Sequence, residues 1–194
     1  SGAGALIKHN TGTLTLSASN THTGPTTINA ATLVNNGGNG NTGPVQINSF
    51  TTYAGTGSAG AVTLGPDASI RPGATEGDAD IGTLSFASLT VNGGEFRMNF
   101  GPGFTTNDTI AVSGTVNFVG TSTITPTFQG LPAAGTYPMI TGSAINVTTA
   151  PTLGGTLSGT RFTVALNTTA TSVDLNITGG PKSLTWTGAV DSSW

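Results

Sequence analysis

The sequence predicts an all-β fold: a right-handed parallel β-helix (β-solenoid) with a small antiparallel or sandwich-like portion near its C-terminus. Short segments of alternating apolar and hydroxyl residues recur along almost the whole chain, separated by turns of Gly, Asn and Pro. Apolar anchors in the first half recur about every 14 to 20 residues, the approximate length of one solenoid coil. These anchors are Leu16, Leu33, Ile47, Leu64 and Leu84.

The alternating segments predict strands with one buried face, because successive side chains of a strand point to opposite sides. In chain order the clearest are Thr13–Leu16, Val45–Ile47, Ala61–Leu64, Thr83–Phe86, Leu89–Val91, Phe96–Phe100, Ile110–Val112 and Val116–Phe118. Turns such as Gly65-Pro66 and Asn92-Gly93-Gly94 lie between them. The same pattern also fits a β-sandwich or barrel, but the coil spacing favours stacked coils.

The predicted core consists of apolar residues that stack in ladders, while Thr and Asn form hydroxyl and amide ladders outside. Its leading members are Leu64, Leu84, Phe86, Leu89, Phe96, Met98, Phe100 and Phe118.

Changes in strand length and composition along the chain predict three segments. Residues 1–125 form the β-helix coils. Residues 126–180 form a C-terminal β portion flanking the solenoid, because longer strands are predicted at Tyr137–Thr141, Arg161–Leu166 and Ser172–Ile177. Residues 181–194 follow Gly179-Gly180-Pro181, carry both tryptophans and are predicted to begin a further module.

The composition excludes several function classes. Only 7% of residues are charged, against about 25% in a typical soluble domain, and the net charge is −3. The five Lys and Arg are scattered, so no basic patch for nucleic acid is expected. The chain has no Cys and no apolar run of transmembrane length, which predicts no disulfide, no thiolate metal site and no membrane insertion.

Three ordered segments near the N-terminus are Gly12–Leu16, Asn20–Gly24 and Thr26–Leu33. Together they resemble the autotransporter-associated β-strand repeat, also called the passenger-associated transport repeat, of long bacterial surface proteins. The chain departs from the usual pattern at His22, where the family has Tyr, and at Ala31, where it has Gly. The resemblance implies a parallel β-helix at the cell surface or outside the cell, and it brings no catalytic residues.

On this basis we expect a structural, non-catalytic module of a long extracellular fibre, stalk or surface protein, with no cofactor. Its expected partners are neighbouring copies or modules of the same protein, because the two ends of a solenoid leave strands without a neighbour. The predicted inter-module contacts are Leu14, Leu184, Trp186 and Trp194. Glycans or a host or neighbouring cell surface are further expected partners.

The densest acidic cluster gives weak calcium candidates, namely Asp67, Glu76, Asp78 and Asp80. Carboxylate oxygens beside a Gly turn suit Ca²⁺, but the spacing completes no known calcium loop. A solvated loop is the simpler interpretation.

Two alternative functions remain open in the sequence. An adhesin or glycan-binding passenger would use the loops Asn35–Thr42 or Gly73–Asp80. A polysaccharide-processing enzyme would need convergent carboxylates, for which Glu95, Arg97 and Asp108 are the residues to inspect. Glu95 and Arg97 share one strand face, which indicates a surface ion pair rather than catalysis.

Overall fold

The computed structural model describes residues 2–37, 43–73, 80–155 and 161–180, and these residues form an all-β structure. Within them a 3₁₀ turn at Pro102–Phe104 is the only helical element. The strands are β1 Leu6–Lys8, β2 Thr13–Leu16, β3 Thr26–Ile28, β4 Ala31–Asn35, β5 Val45–Ile47, β6 Thr51–Gly55, β7 Ser58–Leu64, β8 Ser69–Pro72, β9 Thr83–Val91, β10 Gly94–Phe100, β11 Thr109–Val112, β12 Thr115–Phe118, β13 Ser122–Phe128, β14 Gly135–Thr141, β15 Ala144–Val147, β16 Thr152–Leu153, β17 Phe162–Thr168 and β18 Ser172–Gly179.

The strands alternate between two sheets. The first has the order β1-β3-β5-β7-β9-β11-β14-β18-β17, with β12 and β15 attached, and the second has the order β2-β4-β6-β8-β10-β13-β16. Strands up to β16 pair in parallel with the equivalent strands of adjacent coils. We number the coils β1–β2, β3–β4, β5–β6, β7–β8, β9–β10, β11–β13 and β14–β16. The stacked parallel sheets are consistent with the predicted β-solenoid.

Coil length increases along the chain. Side-chain hydrogen bonds between adjacent early coils join residues 19 and 17 apart. In later coils the bonded residues are 26 and 29 apart, which exceeds the predicted spacing. The long β9 pairs through its first half with β11 and through its second half with β12. The later coils therefore have three sides, two in the first sheet and one in the second.

The core lies between the sheets and follows the predicted alternation. All eight predicted core residues are buried, and seven of them are among the largest fully buried side chains. An aromatic cluster closes the core near the longer coils, where Phe100 lies 5.5 Å from Phe104 and 5.3 Å from Phe128 between ring centroids. Tyr137 meets Phe100 edge-on at 5.8 Å. Aromatic contacts of this kind add to the stability gained from apolar burial.

Among the described residues, antiparallel pairing between strands is confined to the C-terminal strands, and only isolated antiparallel bridges occur elsewhere, at Gly55 with Gly73 and at Phe100 with Asn107. β18 runs antiparallel to both β14 and β17, so the β17–β18 hairpin extends the first sheet beyond β14, its strand from the last coil. Before it, β13 crosses residue 126 without a break and pairs with β10 along its length. The parallel coils therefore continue beyond the first predicted segment. The three-segment division itself stays a prediction.

One corner of the solenoid repeats a left-handed backbone conformation. The residue three positions after the last buried residue of each first-sheet strand has a positive φ in four successive coils. These residues are Ala31 (54°), Phe50 (62°), Asp67 (56°) and Gly94 (89°). Only Gly adopts this conformation without steric cost. The position where the resembled family has Gly, and this chain has Ala31, is thus one of these corners.

The predicted polar ladders lie on the outer faces. Amide pairs stack between coils at Asn29 with Asn48 (2.6 Å) and at Asn117 with Asn146 (2.8 Å). Hydroxyl pairs include Thr52 with Ser69 at 2.8 Å. Side-chain hydrogen bonds between coils therefore order the exterior, although few of its side chains are charged. No helix in the described part of the chain is long and apolar enough to cross a membrane.

Candidate functional sites

Glu95 and Arg97 form a fixed ion pair on the outer face of β10. The Arg97 Nε donates to Glu95 Oε2 at 2.9 Å, and the Thr125 hydroxyl of the next coil donates to Glu95 Oε1 at 2.6 Å. Burial alone would raise the pKa of Glu95, but these hydrogen bonds and the Arg97 charge lower it overall. Glu95 is therefore held as an oriented carboxylate, and the expected surface ion pair is confirmed.

Asp108 joins adjacent coils from inside the fold. Its Oδ1 accepts the backbone N–H of Gly82 at 2.8 Å, and its Oδ2 accepts that of Asn99 at 2.7 Å. The carboxyl is fully buried, and burial raises its pKa to about 6 despite these hydrogen bonds and the nearby Arg71 charge. A pKa near 6 would suit a general acid. However, a carboxyl with no exposed surface cannot reach a substrate.

The two carboxyls inspected for polysaccharide chemistry have separate environments. Glu95 lies near the start of β10, whereas Asp108 binds the backbone of Asn99 near its end. A glycosidase needs two carboxyls that flank one glycosidic bond, one of them as an acid. Here one is a paired carboxylate on the surface and the other is a buried backbone acceptor. The arrangement gives the enzymatic alternative no support.

The acidic cluster is only partly described. Asp67 is exposed at the corner between β7 and β8, and the Asp80 backbone carbonyl accepts the Asn99 side-chain amide at 3.2 Å. Glu76 and Asp78 lie outside the described residues. Within the described ranges no group of three or more His, Cys, Asp or Glu residues could hold a metal ion. The calcium site stays a prediction.

The predicted inter-module contacts are likewise described at one position. Leu14 lies in β2, which among the described strands pairs only with β4, and its half-buried side chain packs against the edge of the core. Leu184, Trp186 and Trp194 lie outside the described residues. These contacts therefore stay a prediction.

The two loops suggested for an adhesin are also described only at their ends. The first begins at Asn35, whose side chain points into the core rather than outward. Its Nδ2 donates to the Tyr53 hydroxyl at 2.9 Å and to the Ser58 carbonyl at 3.0 Å, while Gly37 N–H donates to its Oδ1 at 3.2 Å. Burial raises the pKa of Tyr53 to about 12. Residues 38–42 and 74–79, which make up most of the loops, are outside the described ranges.

Sequence reasoning missed Phe50. Its side chain is 81% exposed at the corner before β6, although Phe is usually buried. One signal was present in the sequence, since Phe50 follows Ile47 by the same interval at which Ala31 follows Ile28. That interval identifies a corner, where a side chain projects away from both sheets.

Comparison with known proteins bears on the first two coils. Residues 6–34 match the family model described as Passenger-associated-transport-repeat. This span runs from the first residue of β1 to the penultimate residue of β4, so the matched repeat corresponds to two stacked coils. No curated protein matches the chain. The match confirms that residues 6–34 are similar to the passenger-associated transport repeat, as their sequence indicated.

Proposed function

We propose that this chain is a structural, non-catalytic module of a bacterial surface or secreted passenger protein, in which right-handed β-solenoid coils build a fibre or stalk. The observation that carries the proposal is the parallel stacking of seven coils in the described part of the chain, which begins with the segment that matches the passenger-associated transport repeat. Each coil contacts mainly its neighbours, an arrangement suited to extension. Parallel crossovers are almost always right-handed, which supports the proposed hand.

The exterior supports a role outside the cell. Its polar ladders replace charge as the source of surface polarity, and the parallel backbone bonds stabilise the fold without any Cys in the chain. Association with exported passengers is the property for which the matched repeat is named. We therefore place the module on the bacterial surface or in the medium.

Exposure of native cells to an antibody raised against this chain tests the location. We expect labelling of intact cells, or recovery of the chain from the medium, while an antibody to a cytosolic protein labels only permeabilised cells. Recovery of the chain only after permeabilisation would refute a surface or secreted passenger.

Inter-module stacking is the second part of the proposal, and Leu14 is its accessible test position. β2 presents a free edge within the described strands, and strand edges are templates for pairing with another chain. In the native protein we propose that Leu14, Leu184, Trp186 and Trp194 pack against neighbouring modules or copies.

Electron microscopy of the native material tests this stacking. Elongated threads are expected for the wild type and shorter ones for Leu14→Arg. Leu131→Arg is the control, because Leu131 is 81% exposed and lies away from β2. Compact particles in the wild type, or equal shortening by both substitutions, would contradict the stacking.

A further inference from the structure

A groove runs from the third coil to the sixth along the corner where residues have a positive φ. It has a volume of about 780 Å³ and exposes both polar and apolar atoms. Adjacent strands lie about 4.8 Å apart, so three coil steps give a length of about 14 Å. The lining residues used below are Phe50, Asp67, Asn92, Glu95, Arg97 and Thr123.

Phe50 forms an aromatic platform at one end of this groove. It is the only aromatic among the exposed large apolar side chains of the described residues, and it occupies a positive φ of 62°. Its backbone N–H donates to the Asp67 carbonyl of the next coil at 3.1 Å, which holds the corner in place. The positive φ is shared with the equivalent corners of adjacent coils, and at Phe50 it projects an aromatic ring to solvent where the ring lines the groove.

The other end of the groove supplies oriented polar groups. Glu95 is fixed by Arg97 and by Thr125, so both its carboxylate and the adjacent guanidinium have defined directions. Thr123 lies beside Glu95 in register on the next strand. The intervening corner of the fifth coil is Gly93-Gly94, where the absence of side chains keeps the groove open. Donors and acceptors thus lie beyond an apolar platform in one channel.

This combination matches the chemistry of a sugar ring. One face of a pyranose presents C–H groups that pack on an aromatic ring, and its edge presents hydroxyls that donate to a carboxylate and accept from a guanidinium. The groove is lined by two carboxylates, those of Asp67 and Glu95, and by one guanidinium, that of Arg97, so carboxylates are in excess. Acidic sugars are therefore disfavoured by like-charge repulsion.

We propose that this groove binds neutral hexopyranosyl units of a polysaccharide, with Phe50 as the stacking platform and Glu95 and Arg97 as partners of the sugar hydroxyls. The site is distinct from the loops that the sequence suggested for an adhesin. It adds a binding activity to the structural role, which requires no ligand.

Saturation-transfer NMR on the purified chain provides the test. The probes are methyl β-D-glucopyranoside, methyl β-D-galactopyranoside and the acidic methyl β-D-glucuronide. We expect transfer to at least one neutral glycoside and weaker transfer to the glucuronide. Phe50→Ala should weaken binding about tenfold, as expected for loss of one aromatic contact, whereas Phe50→Tyr should stay within about threefold. Glu95→Gln should also weaken binding.

Leu131→Ala is the matched control, because Leu131 is as exposed as Phe50 but does not line the groove. It should leave binding unchanged, and circular dichroism should show every variant folded. The proposal is overturned by absence of transfer to both neutral glycosides, by preference for the glucuronide, or by equal loss in Leu131→Ala. None of these results would affect labelling of intact cells or thread formation, so failure here is distinguishable from failure of the structural role.

Discussion

The buried carboxyl of Asp108 gives the sharpest prediction for the stability of the fold. Burial raises its pKa from 3.8 to about 6. Each pKa unit corresponds to about 1.4 kcal/mol, so the shift is worth about 3 kcal/mol. Because the pKa is raised in the folded state, protonation of Asp108 favours folding, and this contribution to stability is fully present below pH 3.8. It is lost as the pH rises through about 6.

The substitution Asp108→Asn isolates this effect, because an amide does not titrate in this range. The variant loses one backbone acceptor at every pH, which adds an offset of about 1 to 3 kcal/mol. The prediction concerns the slope: the stability of the wild type relative to the variant should fall by about 3 kcal/mol between pH 3.5 and pH 7.

Urea unfolding followed by far-ultraviolet circular dichroism at pH 3.5, 5 and 7 measures this difference. Glu95→Gln is a control of opposite sign, because the pKa of Glu95 is lowered and its contribution is lost as the pH falls below 4.5. A wild-type-minus-Asp108→Asn difference that is constant with pH, or that grows with pH, would refute the assignment of Asp108 as a buried carboxyl that costs stability when charged.

Three further substitutions test the corner, the polar interior and the core by the same unfolding measurement. Ala31→Gly should raise the free energy of unfolding by about 1 kcal/mol, because it relieves a positive φ of 54°. Ala61→Gly, on an exposed strand position, should lower it by about 0.5 to 1 kcal/mol, and the same sign for both would contradict the corner argument. Asn35→Ala should cost about 1 to 3 kcal/mol, since it leaves a buried tyrosine hydroxyl without its amide partner, and no loss would show that water replaces the amide. Phe118→Ala should cost about 3 to 5 kcal/mol, whereas Val119→Ala, at a position 46% exposed, should change stability by less than about 0.5 kcal/mol; similar losses would argue against an inward-facing Phe118.

The strand alternation allowed the core to be predicted from the sequence. Phe96, Met98 and Phe100 are all buried on β10, while Arg97 between them is exposed. This works because the pleat sends alternate side chains to opposite faces whatever the strand pairs with. The same local rule predicted the surface pair of Glu95 and Arg97.

Coil length could not be predicted in the same way. Early coils match the predicted spacing, but later coils are longer because β9 turns a corner and pairs with two successive strands. A solenoid requires only that each strand return to register with its neighbour, so extra residues between pairing positions leave no mark in the alternation. The longer C-terminal strands did predict a small antiparallel portion, and β17 and β18 form one, but the pairing of β18 with β14 could not be predicted, since pairing partners are not encoded in a two-residue period.

The sequence by itself determined that the chain is all-β, which side chains form its core, and that its N-terminal segment resembles the passenger-associated transport repeat. Only the tertiary structure showed that Glu95 lies on the surface and that Asp108 is buried, because the exposure of each carboxyl depends on groups from adjacent coils. The same is true of the groove, where Phe50 and Glu95 are distant in sequence but line one channel. Local patterns fix the direction of a side chain relative to its own strand, whereas stacking of coils decides which side chains become neighbours.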